Sequence, residues 1–349
     1  MKRLCCGKVR FHLITIYDIA KKANVSAMTV SKVINRTGRI STATRERVQQ
    51  VIDELGYIPN SNARSLVLQR THMLSLLITD ITNPFYTTLA RGAEDAAHLR
   101  GYRVLFGNSD EDYRKEKEYV EAILSTRVDG VLFAPAGDRS LPHLQQLQAR
   151  NIPFVFLDRI VPGITSDVIA GDSREGAIEL IRYLTQLGHE HIALVNGSSE
   201  VSTARLREDG YIEGLQEAGI TPDPSLILRT SYRDFSDDEG LERLLSRSQQ
   251  PTAIFAANNM LAIGVIRLLR KRGLRVPEDI SVVCFDDLDL ASAFDPFLTV
   301  IAQPAYEFGY QGMQMLIDRI EGKLSSDAET MILPSELRIR TSASVPPTN

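Results

Sequence analysis

Three cysteines in 349 residues, Cys5, Cys6 and Cys284, are too few and too badly spaced for a disulfide framework or a zinc site. No stretch approaches the roughly 18 uninterrupted apolar residues of a membrane span. The opening MKRLCCGKVRFHLI carries basic residues but neither an apolar run nor a small-residue cleavage site, which points to a cytoplasmic protein with no membrane partner. No glycine-rich phosphate loop follows the first strand of the long α/β portion, so the dinucleotide fingerprint is missing. No metal-ligand cluster, marked nucleophile or marked base stands out, and no catalytic residue, metal or cofactor is assigned. The expectation is a protein that is not an enzyme. No heptad run follows the last strand, which favours a dimer over a tetramer.

What is present divides unevenly. The chain is 43% hydrophobic and 24% charged, the balance of a globular protein, and is too long for one ordinary core. Its net charge of −4 hides an asymmetry. Residues 1–72 hold 13 Lys or Arg against 4 Asp or Glu, or +9, which leaves −13 for residues 73–349. A basic head on an acidic body suggests that the head meets a polyanion.

Within the head, Thr15 and Asp18 fit a capping box, and Ile16, Ile19, Ala20 and Ala23 then recur at helical spacing until Asn24. Ser26 can cap a second helix that buries Val30, Val33 and Ile34. Ser41 can cap a third, with Val48, Val51, Ile52 and Leu55 inward and Gly56 at its end. Two short helices joined by a tight turn, braced by a third, make a helix-turn-helix unit. The outer face of the second helix is small and polar enough for a major groove. Lys32 can donate to guanine, and Met28 or Ala27 can touch a thymine methyl. Thr15, Tyr17, Ser26, Thr29, Ser31 and Asn35 suit phosphate contacts, which position without specifying. A small helical bundle packed on the body is the plainer alternative.

TIYDIAKKANVSAMTVSKVIN and RVQQVIDELGYIPNSNARSL together resemble the DNA-binding head of the lactose-repressor (LacI/GalR) family. The resemblance implies that PNSNARSL is a hinge helix that folds on the operator's minor groove. By position Leu66 is the side chain wedged into the central base step, with Asn62, Ala63 and Arg64 against groove and backbone. Read without the family, the same segment is a polar linker.

Beyond Thr71 strands and amphipathic helices alternate, in two similar halves, as in doubly wound parallel sheets. In such sheets ligands sit beyond the carboxyl ends of the strands. Asn83, Phe85, Tyr86, Asp158, Arg159, Asn258, Asp286 and Gln303 fall there, and Arg207 and Phe235 lie in loops or helix starts of the second half. Carboxylates, guanidinium forks and amides match sugar hydroxyls, and aromatic rings cover sugar faces. Each has a plainer reading: Asp158 and Asp286 as helix caps, Phe85 and Tyr86 as core, Arg207 as a surface ion pair.

The body is similar to periplasmic-binding-protein type 1 domains, especially the ribose-binding branch, through TNPFY, LDR, ARLREDGY, FAANN, CFDD and IAQP. The resemblance implies that Asn83, Asp158, Arg159, Arg207, Asn258, Asp286 and Gln303 bind hydroxyls while Phe85, Tyr86 and Phe235 sandwich the ring. Phe235 has a near neighbour, Tyr232, that competes for its role. Two positions depart from the family. Asn259 stands where aspartate is usual, and Asp172-Ser173 replaces Asp-Asn.

The expected fold is thus a small all-α helix-turn-helix head joined to an α/β sensor of two doubly wound parallel-sheet subdomains. Residues 1–13 form an extension, 14–59 the head, 60–71 the hinge and linker, and 72–349 the sensor. Its first subdomain takes about 72–170 and 303–328, its second about 171–302 and 329–349. The expected function is a homodimeric repressor of sugar-utilisation genes on a near-palindromic operator, switched by a ribose-like pentose or, next, a hexose. Control by a protein co-effector or a modified sugar keeps the DNA role. A sugar-transport binding protein would keep only the body.

Overall fold

The computed structural model describes residues 14–35, 37–57, 70–233, 235–288 and 295–347. It forms two compact units, Met1–Thr71 and His72–Asn349. The hinge residues Asn62, Ala63, Arg64 and Leu66 lie outside the described residues, as does the extension before Ile14.

The head has three helices, α1 (Ile16–Ala23), α2 (Ala27–Ile34) and α3 (Thr42–Leu55). Their ends follow local chemistry. The Thr15 N–H donates to Asp18 Oδ2 at 2.8 Å. Asn24 takes a left-handed φ of 52° and stops α1. Ser26 Oγ accepts the Thr29 N–H at 3.1 Å, and Ser41 Oγ accepts the Thr44 N–H at 3.3 Å. Ile19, Val30, Val48 and Ile52 meet in one small core. Lys22 pairs with Glu54 across α1 and α3 at 2.9 Å.

The body contains two six-stranded sheets. Lobe 1 is built from β1 (Met73–Ile78), α4 (Pro84–Leu99), β2 (Arg103–Asn108), α5 (Tyr113–Thr126), β3 (Gly130–Phe133), α6 (Leu141–Ala149), β4 (Phe154–Leu157) and β5 (Asp167–Gly171). Lobe 2 follows with α7 (Ser173–Gln186), β6 (Ile192–Asn196), α8 (Ser202–Glu217), β7 (Ile227–Arg229), α9 (Asp238–Leu245), β8 (Ala253–Ala256), α10 (Asn259–Lys271), β9 (Ser281–Phe285) and β10 (Thr299–Ala302). The chain then returns to lobe 1 as α11 (Ala305–Ile320) and β11 (Thr330–Leu333), and ends with β12 (Glu336–Arg338) in lobe 2. The strand orders are β11-β5-β4-β3-β1-β2 and β12-β10-β9-β8-β6-β7. All pairs are parallel except β10 with β12. β3, β4, β6, β8 and β9 are buried at every position, as strands covered on both faces must be.

α4 and α11 approach until side chains have no room. A Cβ on Gly92 would lie 2.1 Å from the Tyr306 carbonyl oxygen, and one on Gly309 would lie 1.8 Å from that of Leu89. This contact locks the helix that starts at Asn83 against the helix that follows Gln303.

The sequence pattern predicts a single final strand near 329–341 and a lobe boundary at 329, and the structure differs on both. Instead β11 pairs with β5 in lobe 1, and only β12 joins lobe 2. Pro334, which lacks an N–H, separates them. Three connections therefore pass between lobes, at 171–173, 302–305 and 333–336. The Ser335 N–H donates to the Asp172 carboxylate at 3.2 Å and ties the first connection to the third. In addition, β5, β7 and α9 were not anticipated.

Candidate functional site

On the head, the exposed face of α2 carries Met28 and, one turn on, Lys32. Ala27, Thr29 and Ser31 are half-buried beside them, and Tyr17 on α1 stands in solvent. Asn35 Nδ2 donates to Ser31 Oγ at 3.3 Å, so these two polar groups are already oriented by α2. Thr15 and Ser26 are spent as caps but remain exposed at helix N-termini, where backbone N–H groups suit a phosphate.

In the body, Asn83 caps α4, its Oδ1 accepting the Phe85 N–H at 3.0 Å. Asp158 follows β4 with φ of +64°, and Asp286 follows β9 with φ of +68°. Each N–H is fixed by the next strand, Asp158 by the Ile169 carbonyl at 2.8 Å and Asp286 by that of Ile301 at 2.9 Å. The two lobes thus place an aspartate by the same device at equivalent strand ends. Left-handed backbone at a non-glycine residue is uncommon, and such strain collects at ligand clamps. Neither aspartate caps a helix among the described residues.

Arginines and amides surround the pair. Arg207, on α8, is buried; its guanidinium stacks 4.1 Å from the Phe285 ring centroid and donates to the Ala257 carbonyl at 2.6 Å. It is no surface ion pair. Arg159 donates to Glu111 at 2.8 Å and lies 5.5 Å from the Tyr232 ring centroid. Gln303 Nε2 donates to Asp286 Oδ1 at 2.7 Å. Asn258 caps α10, accepting the Leu261 N–H at 2.8 Å, and its Nδ2 donates to the Tyr232 carbonyl at 3.2 Å.

Burial pushes the Asp158 carboxyl up to about 6 against the opposing pull of Arg207 and Arg159, and the charge of Asp286 adds to the rise. Asp286 is raised by burial too, with Arg207, the Gln303 hydrogen bond and Arg159 holding it down. Each carboxylate feels the arginine of the other lobe, which marks one shared electrostatic site. Several buried polar atoms in it have no hydrogen-bond partner among the described residues: Asp158 Oδ1, Gln303 Oε1, Arg159 Nε and Arg207 Nε. A molecule offering both hydroxyl donors and acceptors would satisfy this set, and burial makes leaving it unsatisfied costly.

The lobes also meet directly. Asn259 Nδ2 donates to Asn83 Oδ1 at 3.0 Å. Arg205 grips Asp138 at 2.8 and 3.1 Å, and Arg233 pairs with Asp110 at 2.9 Å. The Ile160 N–H donates to Ser202 Oγ at 3.0 Å. Beyond them a cavity of about 860 Å³ opens between the lobes, lined in part by Glu111, Tyr113, Glu200 and Tyr232.

The expected aromatic residues divide. Phe85 packs edge-to-face against Tyr86 at 5.2 Å and against Phe308 at 5.7 Å, in the core of lobe 1. Phe235 is fully buried in the core of lobe 2. Tyr232 is the ring that meets a site charge from the other lobe. Glu111, Tyr232 and Asn259 were missing from the expected set. Tyr232 and Asn259 had a sequence signal, as neighbours of Phe235 and Asn258; Glu111 had none. Among the described residues no group of three or more His, Cys, Asp or Glu could hold a metal ion, and no helix is long and apolar enough to cross a membrane.

Comparison with known proteins bears on the family and the fold. The profile of bacterial regulatory proteins of the lacI family matches residues 15–60, and that of the periplasmic binding protein-like domain matches residues 181–343. The HTH-type transcriptional regulator DegA of Bacillus subtilis is 38% identical over 332 residues, covering 95% of this chain and 98% of its own length. The Lac repressor dimer bound to operator and the anti-inducer ONPF superposes with a TM-score of 0.81 at 28% identity, covering 95% of this chain and 99% of its own. A LacI family regulator from Enterococcus faecium with bound ribose gives a TM-score of 0.68 at 28% identity, covering 78% of this chain and 99% of its own. The chain belongs to the LacI family of DNA-binding transcriptional regulators, with a helix-turn-helix head and a periplasmic-binding-protein-like sensor of two parallel-sheet lobes.

Proposed function

We propose that this protein is a homodimeric repressor whose operator affinity is switched by a neutral sugar held between the lobes of the body. The observation that carries the proposal is the convergence of Asp158 and Asp286, each on left-handed backbone from its own lobe, with Arg159 and Arg207. Their unmatched oxygens and N–H groups suit a ring with adjacent hydroxyls. A ribose-like pentose is favoured, in line with the ribose-bound relative, and a hexose comes next. Asn83, Asn258 and Gln303 complete the hydroxyl set. Tyr86 and Tyr232 supply aromatic surface, with Phe85 and Phe235 behind them.

Two heads would read half-sites of a near-palindromic operator, with Lys32 and Met28 on base edges. Leu66 from each hinge would wedge the central step. The sugar releases DNA by binding one arrangement of the lobes better than the other, since only differential affinity can shift such an equilibrium. Thermal unfolding against pentoses, hexoses, disaccharides, sugar phosphates and nucleobases tests the proposal. A ligand at 100 times its dissociation constant adds about 2.7 kcal/mol. A free sugar should raise the melting temperature. A response to nucleobases alone, or to no member of the panel, overturns the sugar proposal.

A further inference from the structure

Asn259, the first residue of α10, is fully buried. Its Nδ2 donates to Asn83 Oδ1 at 3.0 Å, from the start of α10 in lobe 2 to the start of α4 in lobe 1. The orientation of this amide pair follows from its surroundings. Asn83 Oδ1 already accepts the Phe85 N–H at 3.0 Å, so the atom facing Asn259 is an oxygen, and Asn259 must present its N–H. An ionised aspartate at 259 has no proton to give. It would set a carboxylate against the Asn83 carbonyl oxygen in a buried place, and that arrangement repels. The direct bridge is therefore available to asparagine and denied to an ionised aspartate.

We infer that Asn259 is a closure latch of this sensor. Its amide N–H joins the lobes through Asn83, so the balance between open and closed cleft is set in part by the protein's own bond. The inference rests on the proposal that the cleft is the effector site, because closure then governs effector affinity. Apparent affinity scales with the fraction of molecules in the binding-competent arrangement. A latch that raises the closed fraction sharpens the response to dilute effector. It adds no charge to a cleft that already holds Asp158, Asp286 and Glu111, and its buried Oδ1 remains a neutral acceptor. Asn259 thus acts on the sensor by positioning the lobes, while the aspartates and arginines take the ligand.

The test uses the full chain with Cys5→Ser and Cys6→Ser, labelled at Lys117→Cys on lobe 1 and Glu239→Cys on lobe 2, both exposed sites. Fluorescence energy transfer reads the lobe separation in the absence of any sugar. Asn259→Asp should lower the closed-to-open ratio by about tenfold or more, the loss of one buried hydrogen bond with an added repulsion. Asn259→Ala should move it in the same direction. Asn83→Asp places the same charge at the same junction but keeps an oxygen that accepts from both Asn259 and Phe85, so it should stay as closed as the parent or become more closed. If Asn259→Asp keeps the parent's distance distribution, or if Asn83→Asp opens the cleft as far as Asn259→Asp does, the latch is overturned. A parent whose distances respond to no sugar would overturn the sugar proposal instead, and the asymmetry between the two variants would still decide the latch.

Discussion

The side chains proposed to read DNA stand in water, with Tyr17 71% and Met28 68% exposed; those proposed to hold the effector are enclosed, with Asp158, Arg207 and Asp286 at 8%, 3% and 5%. The contrast follows from the size of what each binds. A duplex is too large to enclose, so a DNA reader keeps its contacts outside and desolvates them only on the complex. A sugar is small enough to surround, so its partners are desolvated in advance and held by strand ends, caps and arginine stacking. The head's groups cost little before DNA arrives. The body's carboxylates are desolvated at a cost that the nearby arginines only partly offset, visible in the raised carboxyls of Asp158 and Asp286.

The core sizes differ in the same direction. Among the described residues the head rests on eight buried apolar side chains, none larger than Ile, whereas the body buries Phe133, Phe156, Phe255, Phe285 and Phe308 among many others. Ile19→Ala should therefore have the largest effect. Removing those buried carbons costs about 2–5 kcal/mol, most of what so small a unit can hold. Operator binding should collapse while the body's melting transition and its sugar response stay put. A body transition that falls together with the head would break the comparison, and calorimetry would show it.

Asp286→Ala sharpens the contrast from the other side. The sugar-induced rise in melting temperature should vanish and operator affinity should remain. A variant that still responds would mean that the pocket is misplaced.

A smaller effect, about 1–3 kcal/mol and confined to one base pair, is expected for Lys32→Ala. Operator variants in a competition assay read it out; an equal loss on all sequences would make Lys32 a phosphate contact.

Smallest is the pH signature of the body. The carboxyl of Asp158 sits at about 6 in the fold against an ordinary 3.8. Folding therefore takes up a proton between about 4 and 6, and this group's contribution to stability grows as pH falls through that window and is lost as pH rises through it. Asp158→Asn should flatten the melting profile there, in part, because Asp286 is raised as well and remains. An unchanged profile from pH 4 to 7 would contradict the assignment.

Much of this was legible in the sequence where the chemistry is local. Thr15, Asn24, Ser26, Ser41 and Gly56 mark the helix ends of the head because caps are made within a few residues. The buried strands of the body read as unbroken apolar runs. What escaped is short or long-range. β7 has three residues, too few for any period, and β5 is a Val-Ile-Ala run pressed between Asp167 and Gly171. The tail TMILPSELR looks like one strand until Pro334 hands it from one sheet to the other. The proposed ligand residues rest on position, since strand ends are where α/β sheets bind, and position says nothing of the pairings among them. Glu111 with Arg159 and Asn259 with Asn83 join segments 48 and 176 residues apart, and no spacing rule connects them.

The measurement that tests the account most directly is operator affinity, by fluorescence anisotropy on a palindromic duplex, with and without the sugar that stabilises the body. At saturating sugar the parent should bind operator at least about tenfold more weakly, within the usual range of allosteric coupling, and Asp286→Ala should be indifferent to the sugar. A sugar that stabilises the parent yet leaves its operator affinity unchanged would contradict the claim that the cleft controls the head.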